Sequence, residues 1–117
     1  MTETFRNLVA WQKAKVLAKD IYVATRTFPK EETYGLTIQM RRAAVSIPSN
    51  IAEGKGRETR KDFCHFLVQA RGSLYELETQ IELGSDLNYL DSSTAKSLLA
   101  QCDELSRILR GLVKSLQ

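Results

Sequence analysis

The stretch RRAAVSIPSNIAEGKGR, residues 41–57, decides how the rest of the chain is read. Met40 just before it, then Ala44, Ile47 and Ile51, recur at steps of four, three and four, which puts them on one face of a helix. Pro48 falls inside this pattern. It has no N–H to offer the Ala44 carbonyl and its ring crowds that carbonyl, at a cost of about 3 kcal/mol in a regular helix, so a proline-kinked second helix is expected. Ser46, Ser49 and Asn50 stand close enough to satisfy freed backbone groups. Ser49, Asn50 and Glu53 are read together as a structural polar cluster tying the kinked helix to a neighbour. Gly54 is expected to close the helix as a left-handed C′ residue, and small Ala43 and Ala44 would let another helix come close.

Working outward, a first helix is expected from an Asn7 N-cap to Phe28, where Pro29 disfavours helical geometry. Its buried stripe is Ala10, Ala14, Leu17, Ile21, Ala24 and Phe28. A polar connection, Pro29 to Thr33, leads to the second helix. Downstream, Thr59 is the natural N-cap of a third helix, with Asp62 three residues on. That helix carries Phe63, Phe66, Leu67, Ala70, Leu74, Leu77, Ile81 and Gly84 on one face. Asp91 or Ser92 then caps a fourth, whose Ala95, Leu98, Cys102, Leu105, Leu109, Leu112 and Leu116 alternate steps of three and four. The expected helices are therefore about 7–28, 36–54, 59–88 and 92–116, in a single domain spanning 1–117. Short loops force consecutive helices to be neighbours, so the fold class is all-α, an antiparallel up-and-down four-helix bundle.

Composition agrees with that class. The chain has 117 residues, 43% of them hydrophobic and 26% charged, with two prolines and six glycines, which fits one helical core and disfavours a disordered or all-β chain. No run is long and apolar enough for a membrane span and no export signal opens the chain, so no membrane is expected and the localisation read is cytoplasmic. Cys64 and Cys102 are far apart without a CxxC spacing and are expected as free thiols. The net charge of +3 is unevenly spread: residues 76–104 set Lys96 against a long run of acidic side chains, while the first 61 residues are basic. One end of the molecule is thus expected to be basic and another acidic, with ordinary solvated helix faces as the plain alternative.

Two helices carry more apolar surface than a lone bundle can hide. Val9, Val16 and Val23 repeat every seven residues, roughly opposite the first helix's buried stripe. Cys64, Val68, Tyr75 and Leu83 form a second set on the third helix. Monomers seldom leave such faces in water, so these seven residues are candidate interface positions of a homo-oligomer, against scattered surface valines as the simpler alternative.

No constellation compels a reaction. His65 is the single histidine, which rules out the paired Glu-x-x-His motifs of a di-iron bundle, and no metal or other cofactor is expected. Gly54 and Gly56 lack the Lys-Ser/Thr that a phosphate loop requires. Cys64 and His65 are adjacent in sequence and so point in different directions on a helix. No interleaving of aromatic and basic residues suggests a single-strand platform. The protein is read as not an enzyme. Lys55, Arg57, Arg60 and Lys61 flank the start of the third helix, whose free N–H groups and dipole favour anions, and with Arg41 and Arg42 they are the candidate nucleic-acid contacts.

The run RRAAVSIPSNIAEGKGR, preceded by FPKEETYGLT (28–37) and followed by FLVQARGSLYELETQIELG (66–84), resembles the four-helix-bundle family of proteins encoded in intervening sequences of bacterial 23S ribosomal RNA genes. The resemblance covers essentially the whole chain. It implies a bacterial protein forming a homopentameric ring, and a similar bundle is the accessory protein of diversity-generating retroelements, which works with a reverse transcriptase and nucleic acid. The leading reading is a non-enzymatic oligomeric scaffold contacting RNA or DNA through basic surfaces. The alternative is a module that docks a protein partner, with no nucleic-acid role.

Overall fold

Residues 4–117 are described by the computed structural model. Four helices follow in order: α1 (Val9–Ala24), α2 (Leu36–Lys55), α3 (Arg60–Asp86) and α4 (Ser92–Leu116). Consecutive helices are antiparallel neighbours, α1 also packs on α4, and the bundle measures 44 × 23 × 23 Å. The core is the set of stripes the periodicity marks out. Leu17, Ile21, Met40, Ile47, Ile51, Leu67, Leu74, Leu77, Ile81, Leu105 and Leu109 have essentially no solvent contact, and each large apolar side chain so buried is worth about 1.5–3 kcal/mol.

The helix ends depart from the sequence reading where tertiary contacts intervene. Asn7 does not cap α1. It belongs to a 3-10 turn, Phe5–Asn7, whose own cap is Thr4, and the N-cap of α1 is Leu8 with no side-chain bond. Gln12 closes the junction by donating to the Arg6 carbonyl at 2.8 Å. At its other end α1 stops at Ala24 and tightens into a 3-10 turn, Thr25–Thr27, with the buried Thr25 hydroxyl donating to the Ile21 carbonyl at 2.8 Å. The Thr59 and Asp91 caps are as the sequence suggests. Their side chains accept from the Asp62 and Thr94 N–H groups at 3.0 and 2.7 Å. α3 ends at Asp86, two residues early, because Asn88 turns left-handed (φ 64°) and lets the N–H groups of Tyr89 and Leu90 reach the Gly84 carbonyl.

Pro48 lies within α2, which is helical on both sides of it. Gly54 corrects the sequence reading: it is neither the C′ residue nor left-handed, but a buried position inside α2, which runs on to Lys55. A Cβ there would sit 2.6 Å from the Phe66 Cβ and 3.1 Å from the Phe63 ring. The absence of a side chain is what lets α2 and α3 cross so closely. In the last turn of α4 the buried position is Val113, with Leu112 and Leu116 half-buried, so the heptad seam rotates off the core as the helix outruns its neighbours.

Glu32 ties the α1–α2 connection to the far loop. Its carboxylate accepts from the Leu36 N–H at 3.0 Å and from the Tyr89 hydroxyl at 2.9 Å, and these two bonds, the backbone one first, hold its carboxyl below the usual range.

Candidate functional site

The up-and-down order fixes what can share an end of the bundle. One end gathers the start of α1, the α2–α3 turn and the end of α4; the other gathers the two remaining loops. Lys55, Arg57, Arg60 and Lys61 all belong to the first end, and Arg107, Arg110 and Lys114 of α4 point the same charge balance toward it. The second end carries Glu31, Glu32, Glu82, Asp86 and Asp91. Glu53, Glu58 and Asp62 share the first end and Arg26, Lys30 and Lys96 the second, so the uneven charge of the sequence becomes a lengthwise bias in the fold.

The six candidate basic residues do not form one patch. Arg41 and Lys55 are fourteen residues apart on one helix, about 21 Å along its axis at 1.5 Å per residue. Around the α2–α3 turn, Arg57 pairs with Glu53 at 2.9 Å and lies over the Phe66 ring at 4.8 Å, and Lys55 lies 5.8 Å from the Phe63 ring centre. Arg60 and Lys61 are exposed in the first turn of α3 and, among the described residues, enter no ion pair. Arg41 is half committed to structure. Its guanidinium donates to the Thr25 hydroxyl at 2.9 Å and covers the Tyr22 ring at 4.7 Å. Arg42 is exposed beside Ile38, Val45 and the almost fully exposed Tyr34. The sequence reading missed this juxtaposition of Tyr22, Tyr34, Arg41 and Arg42. Tyr22 and Arg41 are nineteen residues apart and meet through the antiparallel packing of α1 on α2, which no local pattern announces.

The surplus apolar residues are at the surface. Val9, Val16 and Val23 on α1 are 53%, 52% and 47% exposed, and Val68, Tyr75 and Leu83 on α3 are 43%, 41% and 47% exposed; Cys64 is half-buried. α1 and α3 are diagonal in the bundle, so the two stripes face away from each other.

Of the three residues read from the sequence as a polar cluster, only Asn50 belongs to the one that joins α2 to α3. Ser46 and Ser73 hydroxyls are 2.8 Å apart, and the Asn50 amide donates to the Ser46 carbonyl and hydroxyl at 2.9 and 3.0 Å. Asn50 thus does tie the helices together, through Ser46. Ser49 is exposed, and Glu53 pairs outward with Arg57.

Titratable groups are shifted by burial, by hydrogen bonds and by neighbouring charges. Burial, with Glu78 adding to it, pushes the Cys102 thiol up to about 12, leaving it an inert core side chain. Burial and then the nearby Asp103 and Glu82 raise the Glu78 carboxyl. The Arg110 guanidinium donates to the Tyr75 hydroxyl at 3.2 Å and lowers its pKa. Among the described residues, no three His, Cys, Asp or Glu side chains are grouped to hold a metal ion, and no helix is long and apolar enough to cross a membrane.

The family model of the 23S rRNA-intervening sequence protein matches residues 6–111, from the 3-10 turn before α1 to the last turns of α4. The chain belongs to this family. Its fold is shared by the crystal structure of a protein of unknown function from the S23 ribosomal protein family of Bacteroides thetaiotaomicron VPI-5482, with a TM-score of 0.82 and 22% identity over 91% of this chain and 96% of that one. No curated protein matches the chain. Within the 23S rRNA-intervening sequence protein family, then, this member is a four-helix bundle with a basic end, an acidic end and two exposed apolar stripes.

Proposed function

We propose that the protein is a non-enzymatic, homo-oligomeric scaffold, a homopentameric ring as its family resemblance implies, that contacts RNA or DNA through its basic end. The observation that carries this reading is the gathering of Lys55, Arg57, Arg60 and Lys61 at the α2–α3 turn, where the positive end of the α3 dipole adds to an electropositive surface. Oligomerisation would multiply that surface, since every copy in a ring presents its basic end on the same side. Any bend that Pro48 introduces in α2 would set the angle at which this turn meets a nucleic acid.

Salt-titrated binding to a structured RNA tests the proposal. Affinity should fall steeply and linearly in log–log form with salt, and a chain carrying Lys55→Glu, Arg57→Glu, Arg60→Glu and Lys61→Glu should lose it. Absence of binding at low salt would contradict the proposal and favour docking of a protein partner instead, for which the apolar groove of Tyr22, Ile38 and Val45 is the observed surface.

A further inference from the structure

We propose that the groove between α1 and α2 docks an acidic amphipathic helix of a partner protein, whose apolar side chains sit on Ile38 and Val45 and whose carboxylates meet Arg41 and Arg42. This goes beyond the nucleic-acid reading and does not depend on it, because Val45 precedes Lys55 by ten residues of α2, about 15 Å at 1.5 Å per residue. Both surfaces can be occupied at once.

Ile38 and Val45 are seven residues apart on the side of α2 that turns away from the buried Met40, Ala44 and Ile47, with Arg42 between them. Tyr22 of α1 walls the groove, which holds about 310 Å³. Its floor, Ile38 to Val45, is about 10.5 Å long at 1.5 Å per residue, the length of two turns of a docked helix, which would meet it with apolar residues at i, i+3 or i+4, and i+7. Nothing in the bundle covers this floor: Tyr22 and Val45 are exposed, and Tyr34, which shares Ile38 and Arg42 with the next hollow along α2, is almost wholly so.

The charges around the groove choose the partner. On α1, Lys19 and Arg26 stand about one turn either side of Tyr22, and Lys15 a turn before Lys19, all exposed; Lys13 and Asp20 are engaged with Glu104 and Gln101 of α4. On α2 stand Arg41 and Arg42. Against them α3 sets Glu76, which accepts from the Gln80 amide at 3.3 Å, and the α1–α2 connection sets Lys30, Glu31 and Glu32, the last engaged by Leu36 and Tyr89. The rim is therefore basic, and one of its cations is already placed for binding. Arg41 donates through Nε to the Thr25 hydroxyl at 2.9 Å and lies over the Tyr22 ring, so its guanidinium gives up little freedom when a carboxylate reaches the Nη atoms. The same arrangement disfavours nucleic acid here. Arg41 covers the Tyr22 face on which a base would stack, the floor between the cations is aliphatic, and Glu31 and Glu76 would oppose a continuous row of phosphates. A segment that carries carboxylates beside its own apolar residues satisfies both floor and rim.

Fluorescence anisotropy with a labelled synthetic peptide tests this. The probe is an amphipathic helix of about 16 residues with leucines at i, i+3, i+4 and i+7 and glutamates beside them; its control carries lysines in place of the glutamates. The glutamate peptide should bind the wild type and the lysine peptide should not. Val45→Asp and Arg42→Glu, both at exposed positions and both expected to keep the wild-type circular dichroism, should each weaken the glutamate peptide at least about tenfold, and Arg42→Glu should take up the lysine peptide better than the wild type does. Failure of the glutamate peptide to bind at low salt would overturn the proposal, as would equal binding by the wild type and both variants. Binding of a uridine oligomer that is lost in these two variants would give the face to nucleic acid instead, and a Val45→Asp chain whose assembly falls apart by light scattering would show the groove covered by another copy; either result would also overturn it.

Discussion

The α2–α3 seam and the α1–α4 side of the same bundle are held in different ways. Across the seam, the small residues Ala43, Ala44 and Gly54 let the backbones approach, Gly54 leaving no room for a Cβ against Phe66, and the Ser46–Ser73 bond, braced from α2 by Asn50, locks the register. Between α1 and α4 the helices are bridged by long side chains, Gln101 donating to Asp20 at 3.0 Å and Lys13 pairing with Glu104 at 3.1 Å. A cleft of about 420 Å³, lined by Asp20, Val23, Leu98 and Gln101, opens between them. The contrast teaches where the fold tolerates change. A seam closed by backbone proximity has no slack, whereas a side bridged by side chains can give.

The largest effect that would break this contrast is at Gly54. Gly54→Val must displace the Phe66 backbone neighbourhood and the Phe63 ring, and should destabilise by about 3 kcal/mol or more in urea unfolding, overpacking outweighing the gain in helix propensity. A loss below about 1 kcal/mol would mean that the seam is not tight. Next, Asn50→Ala removes the two bonds that brace Ser46 against Ser73 in the half-buried seam and should cost about 1 kcal/mol, while Gln101→Ala, on the looser side, should cost less than half of that. Equal losses would erase the difference between the two regions. Gly72, on α3 but with open space where a Cβ would stand, should behave oppositely to Gly54: Gly72→Ala is expected to stabilise by about 0.5–1 kcal/mol.

The smallest effect concerns pH. The Glu78 carboxyl is raised by burial and by Asp103 and Glu82, so its charge opposes folding at neutral pH. A raised carboxyl favours the fold most below its unfolded value of 4.5 and loses that contribution as pH climbs through the folded value. Glu78→Gln should therefore raise the Tm slightly at pH 7 and leave it unchanged at pH 3, when both forms are neutral. A variant less stable at pH 7 would show that Glu78 is a net stabilising charge.

What the sequence made legible was whatever has a short range. The four stripes and the Thr59 and Asp91 caps follow from spacings of three and four and from one side chain reaching one N–H. Gly54 was misread because a glycine after a helical run most often ends it, and only the neighbouring helix reveals that it is there for proximity. Asn7 was misread because Thr4 and Gln12 close the chain before α1 by bonds across a 3-10 turn. Arg41 and Arg42 were grouped with Lys55, Arg57, Arg60 and Lys61 in the sequence reading, yet about 21 Å of α2 separates Arg41 from Lys55. Ser73, which completes the polar cluster, looks like any serine until Ser46 is placed against it. The surplus stripes on α1 and α3 were visible, since exposure on a helix follows from angle; which surface covers them was not, because that depends on a second chain.

The measurement that most directly tests the central claim, that these stripes are too much apolar surface for one bundle to leave in water, is the solution mass of the purified protein by light scattering across a wide concentration range. The account predicts a defined assembly of several copies, stable on dilution. A folded single chain that stays monomeric at high concentration would contradict it.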